Sequence, residues 1–203
     1  MKSTAVFNSD NDGDDTSSSN DDCFLNNPIA KSHSFYLSGT IVGSEKYHKW
    51  FNTIRTAGSN DKVMLHINSY GGCLHSAIQF MRVIAESRAH VIASVEGACM
   101  SAATMIFLAA DSHQISEHSV FMFHNYSSFN MGKGGELYDN IVFERDWSKN
   151  LLTGVYKHFL SKKEIDDILN NRDIWLNSEE VLTRLNKRGE ILKKKFEKKQ
   201  KNA

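Results

Sequence analysis

Between residues 35 and 123 the chain alternates between two hydrophobic periods, and few architectures can accommodate that. Phe35–Val42 (FYLSGTIV), Val63–Ile67, Val91–Val95 and Val120–Phe123 are short, apolar and β-prone, and each predicts a strand. Helical spacing fills the intervals. Tyr47, Trp50, Phe51 and Ile54 predict a helix over Ser44–Ala57, and Ile78, Met81 and Ala85 predict another over Cys73–Glu86. Ser101–Ala110 predicts a short helix that is apolar almost all round. Strand and helix in strict alternation imply parallel β-structure joined by right-handed crossovers, hence an α/β fold.

After residue 124 the pattern changes. Asn125–Gly135 is polar and contains glycine, and it predicts a loop. Glu136–Leu160 reads as one long helix with two apolar stripes, one of them through Phe143, Trp147, Leu151, Val155 and Phe159. A helix apolar on two sides is usually covered on two sides, here by the domain and by another subunit. Ser161 and Glu164 form a capping-box pair opening a helix through Leu169.

The two ends carry opposite charge within a chain of formal net charge zero. Residues 1–22 hold six Asp against Lys2 and little that could be buried, so a disordered acidic segment is expected. Residues 184–203 hold nine Lys or Arg against Glu190 and Glu197, and they predict a basic tail, solvated or helical. Residues 23–183 lie between as one globular domain. The neutral total favours neither a nucleic-acid nor a membrane partner. No apolar run approaches the roughly 20 residues of a membrane helix, and the first residues lack the apolar core of a secretory signal. With three cysteines, Cys23, Cys73 and Cys99, a disulfide framework is not expected, and a reducing cytoplasm is. No histidine pair has metal-ligand spacing, so neither metal nor cofactor is expected.

Four places can carry chemistry. Asn68-Ser-Tyr-Gly-Gly72 follows a strand and precedes a helix; paired glycines allow positive φ and close approach, although they also serve simple turns. It is neither a dinucleotide fingerprint nor a P-loop. Ser101 opens the apolar helix, as an N-cap does, and also as a nucleophile does when the free N–H groups of a helix start face a developing oxyanion. His124 ends a strand, where active-site groups of α/β sheets sit. Asp173, in Arg172-Asp-Ile-Trp-Leu176, means little alone. Cys99 and Cys73 read as packing residues.

In combination these motifs resemble the proteolytic subunits of the Clp protease, serine peptidases of the ClpP/crotonase superfamily. That family shows I-N-S-P-G-G, then G-x-A-x-S, then M-I-H, then R-D-x-F-L. Here they stand as Ile67–Gly72, Gly97–Ser101, Phe121–His124 and Arg172–Leu176, separated by 29 residues from Gly72 to Ser101, 23 to His124 and 49 to Asp173. The resemblance covers roughly residues 35–182. It implies an α/β fold of stacked β-α units with a protruding handle helix beginning near Gly134–Gly135. It implies Ser101 as nucleophile, His124 as general base, Asp173 as the residue that orients the imidazole, and the N–H groups of Gly72 and Ala102 as oxyanion hole. It further implies a serine-type endopeptidase acting on unfolded protein or peptide inside a homo-oligomer of stacked heptameric rings, fed by an ATP-dependent unfoldase; the chain has no Walker A motif of its own. The chain departs from the family at Tyr70 in place of proline, at Ala102 in place of methionine and at Asn125-Tyr126 in place of Gln-Pro, and both ends differ. A capsid- or scaffold-processing viral protease, a non-catalytic ring subunit and crotonase-type acyl-CoA chemistry are the alternatives within the same superfamily.

Overall fold

The computed structural model describes residues 30–129 and 131–201. The acidic segment 1–22 and Cys23 lie outside the described residues.

Six strands form one sheet. They are β1 (Ser32–Ile41), β2 (Lys62–Gly72), β3 (His90–Met100), β4 (Ser112–Ile115), β5 (Val120–Phe123) and β6 (Ile174–Asn177). The order is β1-β2-β3-β5-β6, with β4 also paired to β3. Strands β1 to β5 pair in parallel and β6 runs antiparallel to β5. The helices are α1 (His48–Thr56, after a 3-10 turn at Ser44–Tyr47), α2 (Leu74–Glu86), α3 (Ala102–Ala109), α4 (Gly134–Tyr156), α5 (Lys162–Leu169) and α6 (Ser178–Lys201).

The expected strands and helices are all present, with three differences. The strands β2 and β3 run longer than their apolar cores, because polar Asn68 and Ser69 bond across the sheet. The Oδ1 of Asn68 accepts from the Ala98 N–H at 3.0 Å, and the Ser69 hydroxyl donates to the Gly39 carbonyl at 2.6 Å. Strands β4 and β6 add to the sheet: Ser-His-Gln-Ile has a single apolar residue, and the apolar run of Ile-Trp-Leu-Asn is only three residues long. The long helix begins at Gly134 and stops at Tyr156, because His158 turns the chain with φ of 71°. The capping box of α5 is formed, with both reciprocal hydrogen bonds. Residues 178–201 form one continuous helix, so the basic tail extends an element that already packs on the sheet through Val181.

One face of the sheet is covered. Val63, Leu65, Ile67, Val91, Ala93 and Val95 are buried there, alternating with more exposed neighbours. Phe80 of α2 anchors that side, with Tyr47 and Phe51 edge-on at 4.9 and 4.7 Å. Helix α3 lies in the centre, and its residues 102–108 are all buried. An apolar helix with that burial is a rigid post, and the residue that opens it is held accordingly. No helix among the described residues is long and apolar enough to cross a membrane.

Candidate active site

Ser101 occupies the single residue between β3 and α3, with φ of 54° and ψ of −128°. That region is costly for a residue with a Cβ, on the order of 1–3 kcal/mol, and it persists only when surroundings impose it. Three contacts impose it here. The Ser101 N–H donates to the Met122 carbonyl at 2.8 Å, tying the turn to β5. Its carbonyl accepts from the Thr104 hydroxyl at 2.7 Å and from the Thr104 N–H at 2.9 Å. Gly71, with φ of 93°, lies directly against it.

This geometry separates the two roles a serine can play at a helix start. As an N-cap its hydroxyl would accept from a backbone N–H of the first turn. It makes no such bond. The Oγ instead lies 2.6 Å from Nε2 of His124. His124 stands one residue beyond β5, half-buried, and β5 pairs beside the end of β3 with Cys99 opposite Phe121. The sheet register therefore places the imidazole over the turn. The pair is competent for acyl transfer, since an imidazole at hydrogen-bond distance can take a serine proton as the oxygen attacks.

The Gly-Gly motif meets the turn from the other side. The Gly71 N–H is taken by the Ser69 hydroxyl at 3.1 Å, which removes it as a donor. Gly72 comes next and faces the same cleft as Ser101. Ala102 opens α3, where the first N–H groups have no intrahelical acceptor. Gly72 and Ala102 thus both line the space beside the serine oxygen. That cleft has a volume of about 650 Å³. Its walls are largely apolar, with Met105 of α3 and Phe143, Trp147 and Leu151 of α4 facing Ser101 and His124. His75 of α2 stacks on Trp147 across it, with ring centroids 5.8 Å apart.

Asp173 is brought near but not joined. It is exposed, in the turn before β6. The antiparallel register ends at Phe123 opposite Ile174, so one further step sets His124 opposite Asp173. Just beyond, the Asn125 amide donates to Asn171 Oδ1 at 3.1 Å. Among the described residues no hydrogen bond links Asp173 to His124.

Two supporting residues escaped the sequence reading, Thr104 and Tyr156. Thr104 spends its only hydroxyl proton on the Ser101 carbonyl. The Tyr156 hydroxyl, 2.9 Å away, must therefore be the donor of the next bond. Burial pushes the Tyr156 phenol well above its ordinary pKa and keeps it a donor. Helix α4 is thereby hydrogen-bonded to the Ser101 turn. A Thr two residues into an apolar helix was the only signal in the sequence. Cys99 is fully buried, and burial raises its thiol far above the reactive range. Cys73 immediately precedes α2 and is half-buried; hydrogen bonding from the Ser76 hydroxyl, the largest influence, holds its thiol below the usual value.

Residues 27–184 match the family described as Clp protease. The match takes in more than half of the chain and all four motifs, and the chain belongs to the Clp protease family, peptidases that form oligomeric assemblies. No curated protein matches the chain in a direct comparison.

Proposed function

We propose that this chain is a serine-type endopeptidase with Ser101 as nucleophile. The observation that carries the reading is the 2.6 Å contact between Ser101 Oγ and His124 Nε2 at a turn of positive φ. Ser101 Oγ attacks the scissile carbonyl carbon as its proton passes to His124 Nε2. The Gly72 and Ala102 N–H groups hold the oxyanion. The tetrahedral adduct collapses, the C–N bond breaks, and His124 returns the proton to the departing amine. A water then attacks the acyl-serine by the same route, releasing the acid and restoring Ser101. We assign Asp173, opposite His124 one register step beyond the β5–β6 pair, to orienting the imidazole.

The assembly we propose is a homo-oligomer of stacked rings, in which α4 packs between rings and an ATP-driven unfoldase supplies unfolded protein. The support is the outer face of α4. Tyr138 and Ile141 are 69% and 56% exposed, adjacent apolar side chains that a lone chain leaves in water.

A fluorophosphonate probe tests the reading. Labelling at Ser101, abolished in Ser101→Ala while native mass spectrometry still finds the oligomer, is the expected result. An unlabelled wild-type protein would assign the fold to a non-catalytic subunit.

A further inference from the structure

A second groove, larger than the catalytic cleft at about 1090 Å³, runs between the end of α4, α5 and α6. Its floor is apolar, formed by Phe159, Leu160 and Ile165. Its rim is basic. Lys149 and Lys157 stand on one side, Lys162 and Lys187 on the others, and all four are exposed. None of the four forms an ion pair with a described residue. Of the two carboxylates on the rim, Glu164 is already held by both terminal nitrogens of Arg184, at 2.9 and 2.7 Å. The positive excess is felt at His158, whose Nε2 accepts from Lys195 Nζ at 2.8 Å. Burial, followed by the charges of Lys195, Lys157 and Arg188, holds that imidazole below its ordinary pKa. A groove with an apolar floor and uncompensated lysines fits an acidic segment that also carries apolar side chains.

The chain supplies such a segment. Residues 10–22 contain six Asp and no Lys or Arg, and Phe24 and Leu25 follow almost at once. The segment is also in reach. Ser32 begins β1 at the end of the sheet where β3 and β4 begin. There Asp111 and Ser112 face Leu185 and Arg188 of α6 across a shared recess. From β1 to β4 is three strand spacings, about 14 Å, and the groove lies one helix diameter further, about 10 Å. Eight extended residues from Ala30 back to Asp22 span up to about 28 Å.

We propose that the groove between α4, α5 and α6 holds the acidic segment Asp10–Asp22 of the same chain, with its aspartates on the four rim lysines. Tethering gives the segment an effective concentration in the millimolar range, so individually weak contacts suffice.

The test is carbodiimide cross-linking of the full-length oligomer, with links located by mass spectrometry, beside limited proteolysis of the first 25 residues. The expected links join Asp10–Asp22 to Lys149, Lys157, Lys162 or Lys187 within one chain, as shown by mixing isotope-labelled and unlabelled protein. Cleavage of the segment should accelerate about tenfold in Lys157→Glu/Lys187→Glu, in Asp21→Asn/Asp22→Asn, and on raising salt from about 50 to 500 mM, where charge attraction is screened. The control Lys193→Glu/Lys194→Glu, on the same helix beyond the groove, should leave it unchanged. Links spread over the lysines of 193–201, links only between chains, or equal cleavage in every variant would each overturn the proposal. So would retardation of single-stranded RNA by the wild type alone with cleavage unaffected, which would give the groove to nucleic acid.

Discussion

Gly71 stands so close to Ser101 that a Cβ built on it would lie 2.6 Å from the serine Cβ and 2.7 Å from the Met100 carbonyl oxygen. The first motif of this family therefore does more than turn the chain. Its first glycine is the surface against which the Ser101 turn is pressed, and its second reaches the cleft.

Gly71→Ala should accordingly damage the site far more than its size implies. Both the φ of 93° and the contact oppose a methyl group, so Ser101 must move. A displacement of about 1 Å can cost about 10²-fold in rate. Peptide turnover and thermal stability should both fall, whereas Gly134→Ala, with nothing within 4 Å, should alter neither. Equal behaviour of the two variants would contradict the packing described.

The bond between Tyr156 and Thr104 makes a second prediction. Tyr156→Phe leaves Thr104 without its buried donor but keeps the ring, and it should cost about 1 kcal/mol of stability. Because Thr104 also holds the Ser101 carbonyl, kcat should fall while KM changes little. A double-mutant cycle with Thr104→Val should show coupling of about 0.5 kcal/mol or more. Strict additivity would mean that α4 and the turn are independent.

Asp173→Asn separates orientation from simple proximity. An amide in place of the carboxylate favours the wrong tautomer of His124, and the loss in kcat reaches about 10⁴ when that bond operates in turnover. An unchanged rate would show that His124 works without Asp173.

His113 predicts how stability depends on pH. Its Nε2–H donates to the Phe107 carbonyl at 3.0 Å, and its ring lies edge-on to Phe107. Burial is the main reason that its pKa falls to about 4, from an ordinary 6.5. The unfolded chain then binds a proton that the folded chain refuses, so the stabilisation is complete above pH 6.5 and is lost as pH falls towards 4. The size is on the order of 3 kcal/mol. Melting temperature measured from pH 7 to 4.5 should drop more steeply in wild type than in His113→Leu.

Alternating apolar periods gave the central strands and α1 to α3, because burial on one face dictates period. The capping box of α5 was legible for the same local reason. Strands β4 and β6 were not, since so short a stretch, with one apolar residue in β4 and three in β6, becomes a strand only when a sheet edge is waiting for it. Ser101 stayed ambiguous between cap and nucleophile, because both need the same residue at the same place.

The amino-acid sequence alone determined the α/β alternation, the four ordered motifs and the opposite charge of the two ends, all properties of composition and spacing. Only the tertiary structure decided that Ser101 is held at positive φ and bonds His124 rather than its own helix. It alone decided that Gly71 is the supporting glycine, that Tyr156 reaches Thr104 from 52 residues away, and that a basic groove opens beside α6. Those outcomes depend on which strands lie side by side. That choice is made by packing over the whole chain, and it leaves no mark in any short stretch of residues.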